Sequence, residues 1–222
     1  NGTLDESDIV TRNLNVQNLL NFNRFTVGSD IGMSVMLGNG ISDEKQDVSG
    51  QTSSDFLDPT FLSMNNTRNR NAVNYITQRR RVGLFGQVQA DYKDYLFLTV
   101  MGRNDWTSTI PEERNSFFYP GVQGSFVFTD VLPSLGQHMT GRLRAAWTQS
   151  GKDARAYAYA PTLESKPTTN KGYGYGFTGP NPNLKPEFAT SGEIGTELGF
   201  FDDRLGIDAT LYRKETRDQI VD

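Results

Sequence analysis

Along much of this chain, apolar and polar residues alternate with a period of two. In the run 193–200, Ile194, Thr196, Leu198 and Phe200 share one face, and Glu193, Gly195, Glu197 and Gly199 share the other. The run 205–214 repeats the pattern, with Leu205, Ile207, Ala209 and Leu211 opposite Gly206, Asp208, Thr210, Tyr212 and Lys214. Successive side chains of a strand point to opposite faces, so this period predicts strands rather than helices. Asp202 and Asp203 lie between the two runs, and aspartate tolerates tight-turn backbone angles. The pair therefore reads as a hairpin with one apolar face and one polar, glycine-rich face.

The same reading carries back along the chain. A weak first strand is expected at 11–20 (Leu14, Val16 and Asn18), followed by a turn at 21–24. A second strand places Val27, Ser29, Ile31, Met33, Val35 and Leu37 opposite Gly28, Asp30, Gly32, Ser34, Met36 and Gly38. Periodicity is lost over 39–78, which reads as a long polar loop. Further strands are expected at 81–91, 95–105, 117–128 and 140–150, with Tyr92-Lys93-Asp94 as a tight turn and loops at 106–116, 130–139 and 152–189. This makes eight strands of roughly ten residues, the length that crosses a bilayer at a tilt. Short links (near Asn23, Asp94, His138 and Asp203) alternate with long ones, so all the long loops emerge at one end. Short turns on one side and long loops on the other are the layout of an outer-membrane barrel.

The apolar faces have two possible surroundings. A soluble sandwich hides them inside; a membrane barrel turns them toward lipid and lines its lumen with the polar faces. A loop as long as 39–78 is unusual in a compact soluble domain and ordinary outside a barrel. Aromatic residues fall in two groups. Tyr92, Tyr95, Phe128, Phe200 and Phe201 lie near the short-turn ends; Trp106, Phe117, Phe118, Tyr119 and Trp147 lie near the long-loop ends. Two girdles suit two membrane interfaces. The reading is an all-β, antiparallel transmembrane β-barrel. A complete eight-stranded barrel with a structural or adhesive role and a soluble all-β carbohydrate-binding module remain the alternatives.

Composition narrows the chemistry. The 222 residues carry no cysteine, one histidine (His138) and a net charge of -4, which argues against a thiol nucleophile, a Cys-ligated metal and a nucleic-acid partner. Hydrophobic residues make up only 36%, yet there are 22 glycines and 11% aromatics, in keeping with a chain in which alternate residues alone meet lipid. No run of about 18 apolar residues predicts a transmembrane helix, and the opening NGTLDESDIV has no signal-peptide pattern. Gly174, Gly176 and Gly179 spell a dinucleotide fingerprint, but they run into Pro180 instead of opening a helix. Glu193 and Glu197 share a face, yet four strand residues separate them by roughly 13 Å, too far for an acid–base pair. No catalytic, cofactor or metal site is expected. The residues that read as candidate contacts to a substrate or partner are Trp106, Tyr157, Tyr159, Tyr173, Tyr175 and Phe177, most of them in the 152–189 loop.

Four blocks resemble the SusC/RagA class of TonB-dependent outer-membrane transporters: DYKDYLFLTVMGRNDWTST (91–109), NSFFYPGVQGSFVFTD (115–130), GRLRAAWTQSGKDA (141–154), and NPNLKPE with its hairpin (181–222). They occur in the family's order and cover most of the chain from Arg81 onward. The resemblance implies that the chain is a segment of a larger barrel of about 22 strands with a plugged lumen. It implies outer-membrane uptake of oligosaccharides or peptides energised through TonB, with a SusD-like surface lipoprotein as lid. The plug domain is expected to lie outside this chain, and the first and last strands are expected not to pair with each other.

Overall fold

The computed structural model describes residues 2–160, 163–166, 172–175 and 181–220. Its main element is an eight-stranded sheet. The strands are β1 (Thr3–Val27), β2 (Ile31–Phe56), β3 (Thr67–Tyr92), β4 (Leu96–Thr107), β5 (Ser116–Val127), β6 (Met139–Lys152), β9 (Glu187–Phe200) and β10 (Leu205–Arg217). They are ordered β1-β2-β3-β4-β5-β6-β9-β10, so each strand lies beside its neighbours in the chain except where β6 pairs with β9. The sheet is open: β1 and β10 are its two ends and do not pair with each other. The remaining strands, β7 (Leu163–Lys166) and β8 (Gly172–Tyr175), form a separate hairpin within the last long loop. Two single-turn helices, α1 (Phe128–Val131) and α2 (Pro133–Gly136), connect β5 to β6.

Turn chemistry sets the short links. Lys93 and Asp94 have φ of 49° and 59°, and the Tyr95 amide donates to the Tyr92 carbonyl at 3.2 Å. Phe201, Asp202 and Asp203 have φ of 58°, 56° and 60°, a left-handed region that aspartate enters more readily than most residues. The first turn is not at 21–24. β1 runs unbroken through that stretch, and the reversal falls at Gly28-Ser29-Asp30, where Gly28 has φ 70°. Asn21–Arg24 has turn-like composition, but Gly28 adopts positive φ without the strain a Cβ would bring.

The stretch 39–78 is not a structureless loop. It continues β2 and β3, each 26 residues long, and only residues 57–66 between them lie outside the strands. The apolar period stops while the backbone ladder continues: the outer part of β2 is mostly half-buried polar residues, with Val48 and Ser53 buried, so no alternation marks a face.

Contact density divides the chain into residues 1–16 with 41–80, and residues 17–40 with 81–222. In the first unit the β2–β3 turn is held by side chains. Asp58 accepts from the Thr60 amide at 2.9 Å and the Thr60 hydroxyl at 2.7 Å, and Asn66 Nδ2 donates to the carbonyls of Asp58 and Phe61. Bonds to the Thr60 hydroxyl, then its amide, hold the Asp58 carboxyl below its usual range.

The second unit carries the alternating strands, and its register turns sequence patterns into rows. Val88 faces Val100, Val100 faces Val122 and Val122 faces Trp147. The next row runs Ala90, Leu98, Gly124, Ala145, Ile194 and Leu211. These rows are apolar across the sheet, yet Leu98, Val100, Trp147 and Ile194 are exposed. The segment 82–92 of β3 rises about 34 Å at about 3.4 Å per residue. At a tilt near 45° that is roughly 25 Å, the height of a barrel's lipid-facing band. A soluble sandwich would have covered this face. Leu96, Leu205, Ile207, Ala209 and Leu211 are exposed with it. Among the described residues no helix is long and apolar enough to cross a membrane.

Candidate functional site

The opposite face of the second unit is polar, and neighbouring strands tie its charges together. Arg142 on β6 pairs with Glu197 on β9, and Arg144 pairs with Asp208 on β10 while donating to the Thr210 hydroxyl at 2.8 Å. The ladder explains the match: Arg142 lies opposite Glu197, which in turn lies opposite Asp208. Glu197 is therefore engaged in a cross-strand ion pair, and Glu193 and Glu197 do not form an acid–base site. Exposed pairs of this kind contribute roughly 0–1 kcal/mol each, so the network shapes the wall more than it stabilises the fold. A cavity of 440 Å³ lies against it, lined in part by Phe97, Gln123, Arg144 and Glu193.

Further along the same face Arg103 Nε donates to Asp105 at 2.8 Å, and the Tyr119 hydroxyl donates to the other Asp105 oxygen at 2.5 Å. The Arg103 guanidinium also lies 5.4 Å from the centre of the Phe85 ring. Phe85 and Met101 lie flat on this wall because the adjoining strands carry glycine beneath them. A Cβ at Gly38 would sit 2.5 Å from the Phe85 ring, and one at Gly121 would sit 2.9 Å from Met101.

Beyond the strand ends the sheet carries a buried knot. Asp153, 7% exposed, accepts from the Thr107 hydroxyl at 2.7 Å and the Thr109 hydroxyl at 3.2 Å through the same oxygen. The two threonine hydroxyls are 2.9 Å apart, and the Thr109 amide donates to Thr107 Oγ1 at 3.3 Å. Ile110 and Ala154, next in sequence to Thr109 and Asp153, are buried, as is Leu184 in the returning stretch, and Phe117 packs edge-to-face on Phe188 at 6.2 Å. Arg114 donates to the Asn183 carbonyl at 2.7 Å, and the Asn181 side chain and carbonyl accept from the amides of Asn183 and Leu184. Three of the sequence blocks singled out above thus each place residues in buried or bridged positions at these loop ends: the TST stretch, the GKDA stretch and the NPNL stretch.

The candidate contact residues are dispersed. Trp106 shares the outward face of Leu96, Leu98 and Val100, is exposed, and sits across from Val82. Tyr157 lies in the turn after Ala154, exposed, with φ 64°; Tyr159 follows it, half-buried. Tyr173 and Tyr175 belong to β8, paired with Ser165 and Leu163. Phe177 lies outside the described residues. Sequence reasoning put Glu193 and Glu197 on one polar face but did not pair either with an arginine, and it missed the Asp153 knot. The only signal for the knot was the run of hydroxyls at Thr107, Ser108 and Thr109, which has no period to mark it.

Comparison with known proteins agrees with this architecture. The family model "TonB dependent receptor-like, beta-barrel" matches residues 1–222. TonB-dependent receptor P26 of Formosa agariphila is 30% identical over 145 residues, covering 62% of this chain and 15% of that receptor. The structure of the RagAB peptide transporter superposes with TM-score 0.80 at 17% identity, covering 98% of this chain and 25% of that one. The siderophore receptor PiuA of Acinetobacter baumannii gives 0.50 at 15% identity, covering 95% of this chain and 32% of that one. The open eight-stranded sheet, with a lipid-type face and a charged face, is a segment of an outer-membrane β-barrel wall. The chain belongs to the TonB-dependent receptor-like β-barrel family, whose members are receptors of the Gram-negative outer membrane and not enzymes, and its fold is that of the SusC/RagA class. It spans 15% of the length of receptor P26 and about a quarter of the RagAB chain.

Proposed function

We propose that this chain forms part of the barrel wall of an importer that carries large nutrients, oligosaccharides or peptides, across the outer membrane. The observation that carries the reading is the pairing of an apolar, lipid-type face with an opposite face of tied charges and a polar cavity. Such a wall separates lipid from an aqueous passage. The passage holds a plug domain contributed by sequence outside this chain, and TonB supplies the energy. A SusD-like surface lipoprotein closes the outer mouth, against the loop that runs from β6 to β9. Peptides are favoured by likeness to a transporter described as carrying them, and oligosaccharides by the wider class that the sequence blocks resemble.

The experiment is a deletion of the full-length receptor in its own cell, followed by uptake of a labelled peptide pool and a labelled oligosaccharide pool. Loss of one pool, reproduced by removing TonB, supports the reading. Uptake of both pools at the parental rate refutes it.

A further inference from the structure

We propose that Asp153 is the positioning residue for the long loop between β6 and β9, pinning its foot to the β4–β5 connection so that the loop meets cargo in one arrangement. The inference rests on the importer reading proposed above.

The loop leaves the sheet at Asp153 and Ala154 and returns through Asn181 to Leu184. Both feet are fixed. The leaving foot is held where Asp153 takes the hydroxyls of Thr107 and Thr109. The returning foot is held where Arg114 donates to the Asn183 carbonyl and where Leu184 is buried. Thr107, Thr109 and Arg114 all belong to the end of β4 and the connection after it. One short connection therefore anchors both ends of a much longer one.

Packing alone does not call for a carboxylate here. Burying a charge is costly, and an apolar side chain of similar size would fill the space at lower cost. What Asp153 adds is direction. A single oxygen faces two hydroxyls that lie 2.9 Å apart, and Thr109, fully buried, cannot turn away to water. Apolar contacts let a loop foot slide or rotate; this arrangement admits one register. Fixing the foot beforehand lowers the ordering cost that binding must otherwise meet. Tyr157 and Tyr159 follow the anchor by a few residues, so any slip at Asp153 would move them.

The test uses the full-length receptor in the outer membrane, with correct folding checked by heat-modifiable migration. Thr107→Val with Thr109→Val keeps the shape and removes both donors; Thr107→Ser with Thr109→Ser keeps the donors. Asp153→Ala is the direct variant, and where it fails to reach the membrane the valine pair decides. Two readouts are taken: trypsin cleavage after Lys171, and uptake kinetics for whichever labelled pool the receptor deletion abolishes. The valine pair should be cut severalfold faster. Its half-saturating concentration should rise by roughly threefold to tenfold at an unchanged maximal rate, while the serine pair stays near the parent. Parental cleavage and parental half-saturation in the valine pair overturn the proposal, as does a serine pair that behaves like the valine pair. If the deletion abolishes neither pool, the uptake reading itself fails, and the cleavage readout still decides whether Asp153 anchors the loop.

Discussion

Replacing Val100 by arginine tests the orientation of the whole wall. Val100 lies about midway along the apolar segment of β4, between the Lys93-Asp94 turn and Trp106, with Val88 and Val122 beside it. At about 3.4 Å per residue and a 40–45° tilt, six residues place it roughly 14 Å from either interface, close to the bilayer midplane. Arginine on a lipid face at that depth costs about 2–4 kcal/mol. At 1.4 kcal/mol per factor of ten, this is roughly 30-fold to 700-fold in the folding equilibrium. Gln123→Arg is the matched control. Gln123 lies one strand over, on the opposite face, lining the cavity beside Glu193. An arginine there meets water and a carboxylate, so the expected cost is below about 1 kcal/mol. Ile207→Arg falls between the two, because Ile207 is two residues past the start of β10 and close to an interface, where the penalty declines. The assay is urea titration of the full-length receptor folded into vesicles, read by heat-modifiable migration. If Val100→Arg folds as stably as Gln123→Arg, the outward face does not meet lipid and the barrel reading fails.

Three further outcomes are expected. The Asp58 carboxyl is held below its usual value of 3.8, so its contribution to the β2–β3 turn is complete above that value and is lost as pH falls through the lower folded value; hydrogen exchange at the Thr60 amide should accelerate only in that acid range, and Asp58→Asn should abolish the step. Gly121→Leu, whose Cβ would crowd Met101 at 2.9 Å, should destabilise by about 1–3 kcal/mol in urea titration, and adding Met101→Ala should restore most of it; no restoration would mean the crowding lies elsewhere. Changing Tyr157, Tyr159, Tyr173, Tyr175 and Phe177 together to alanine should weaken cargo uptake severalfold or more, at about 1 kcal/mol per well-placed aromatic; unchanged affinity at normal surface level would leave the loop with a packing role only.

The inner part of β3 and the strands β4, β5, β6, β9 and β10 were legible in the sequence because each has one face in lipid and one in a polar lumen, whereas β7 and β8, inside the stretch read as a loop, were not. That boundary imposes a period of two on every residue it touches, so Leu96, Leu98 and Val100 announce both the strand and its outward face. The Lys93-Asp94 and Asp202-Asp203 turns were legible for a local reason: their residue types tolerate the left-handed backbone that the turns adopt. Where the boundary ends, the signal ends. The outer parts of β2 and β3 are built mostly from polar residues, so 39–56 and 67–78 form strands that no apolar alternation reveals. The first turn was misplaced because Asn21–Arg24 and Gly28–Asp30 both have turn composition, and the ladder of β1 continues through the first of them. The site depended on register still more. Arg142 and Glu197 stand 55 residues apart in sequence and opposite one another in the sheet. The Asp153 knot joins residues from two connections whose spacing follows no repeat. Alternation along one strand is a property of that strand alone; which charges meet, and which loop feet are tied, is decided only when neighbouring strands fix their pairing.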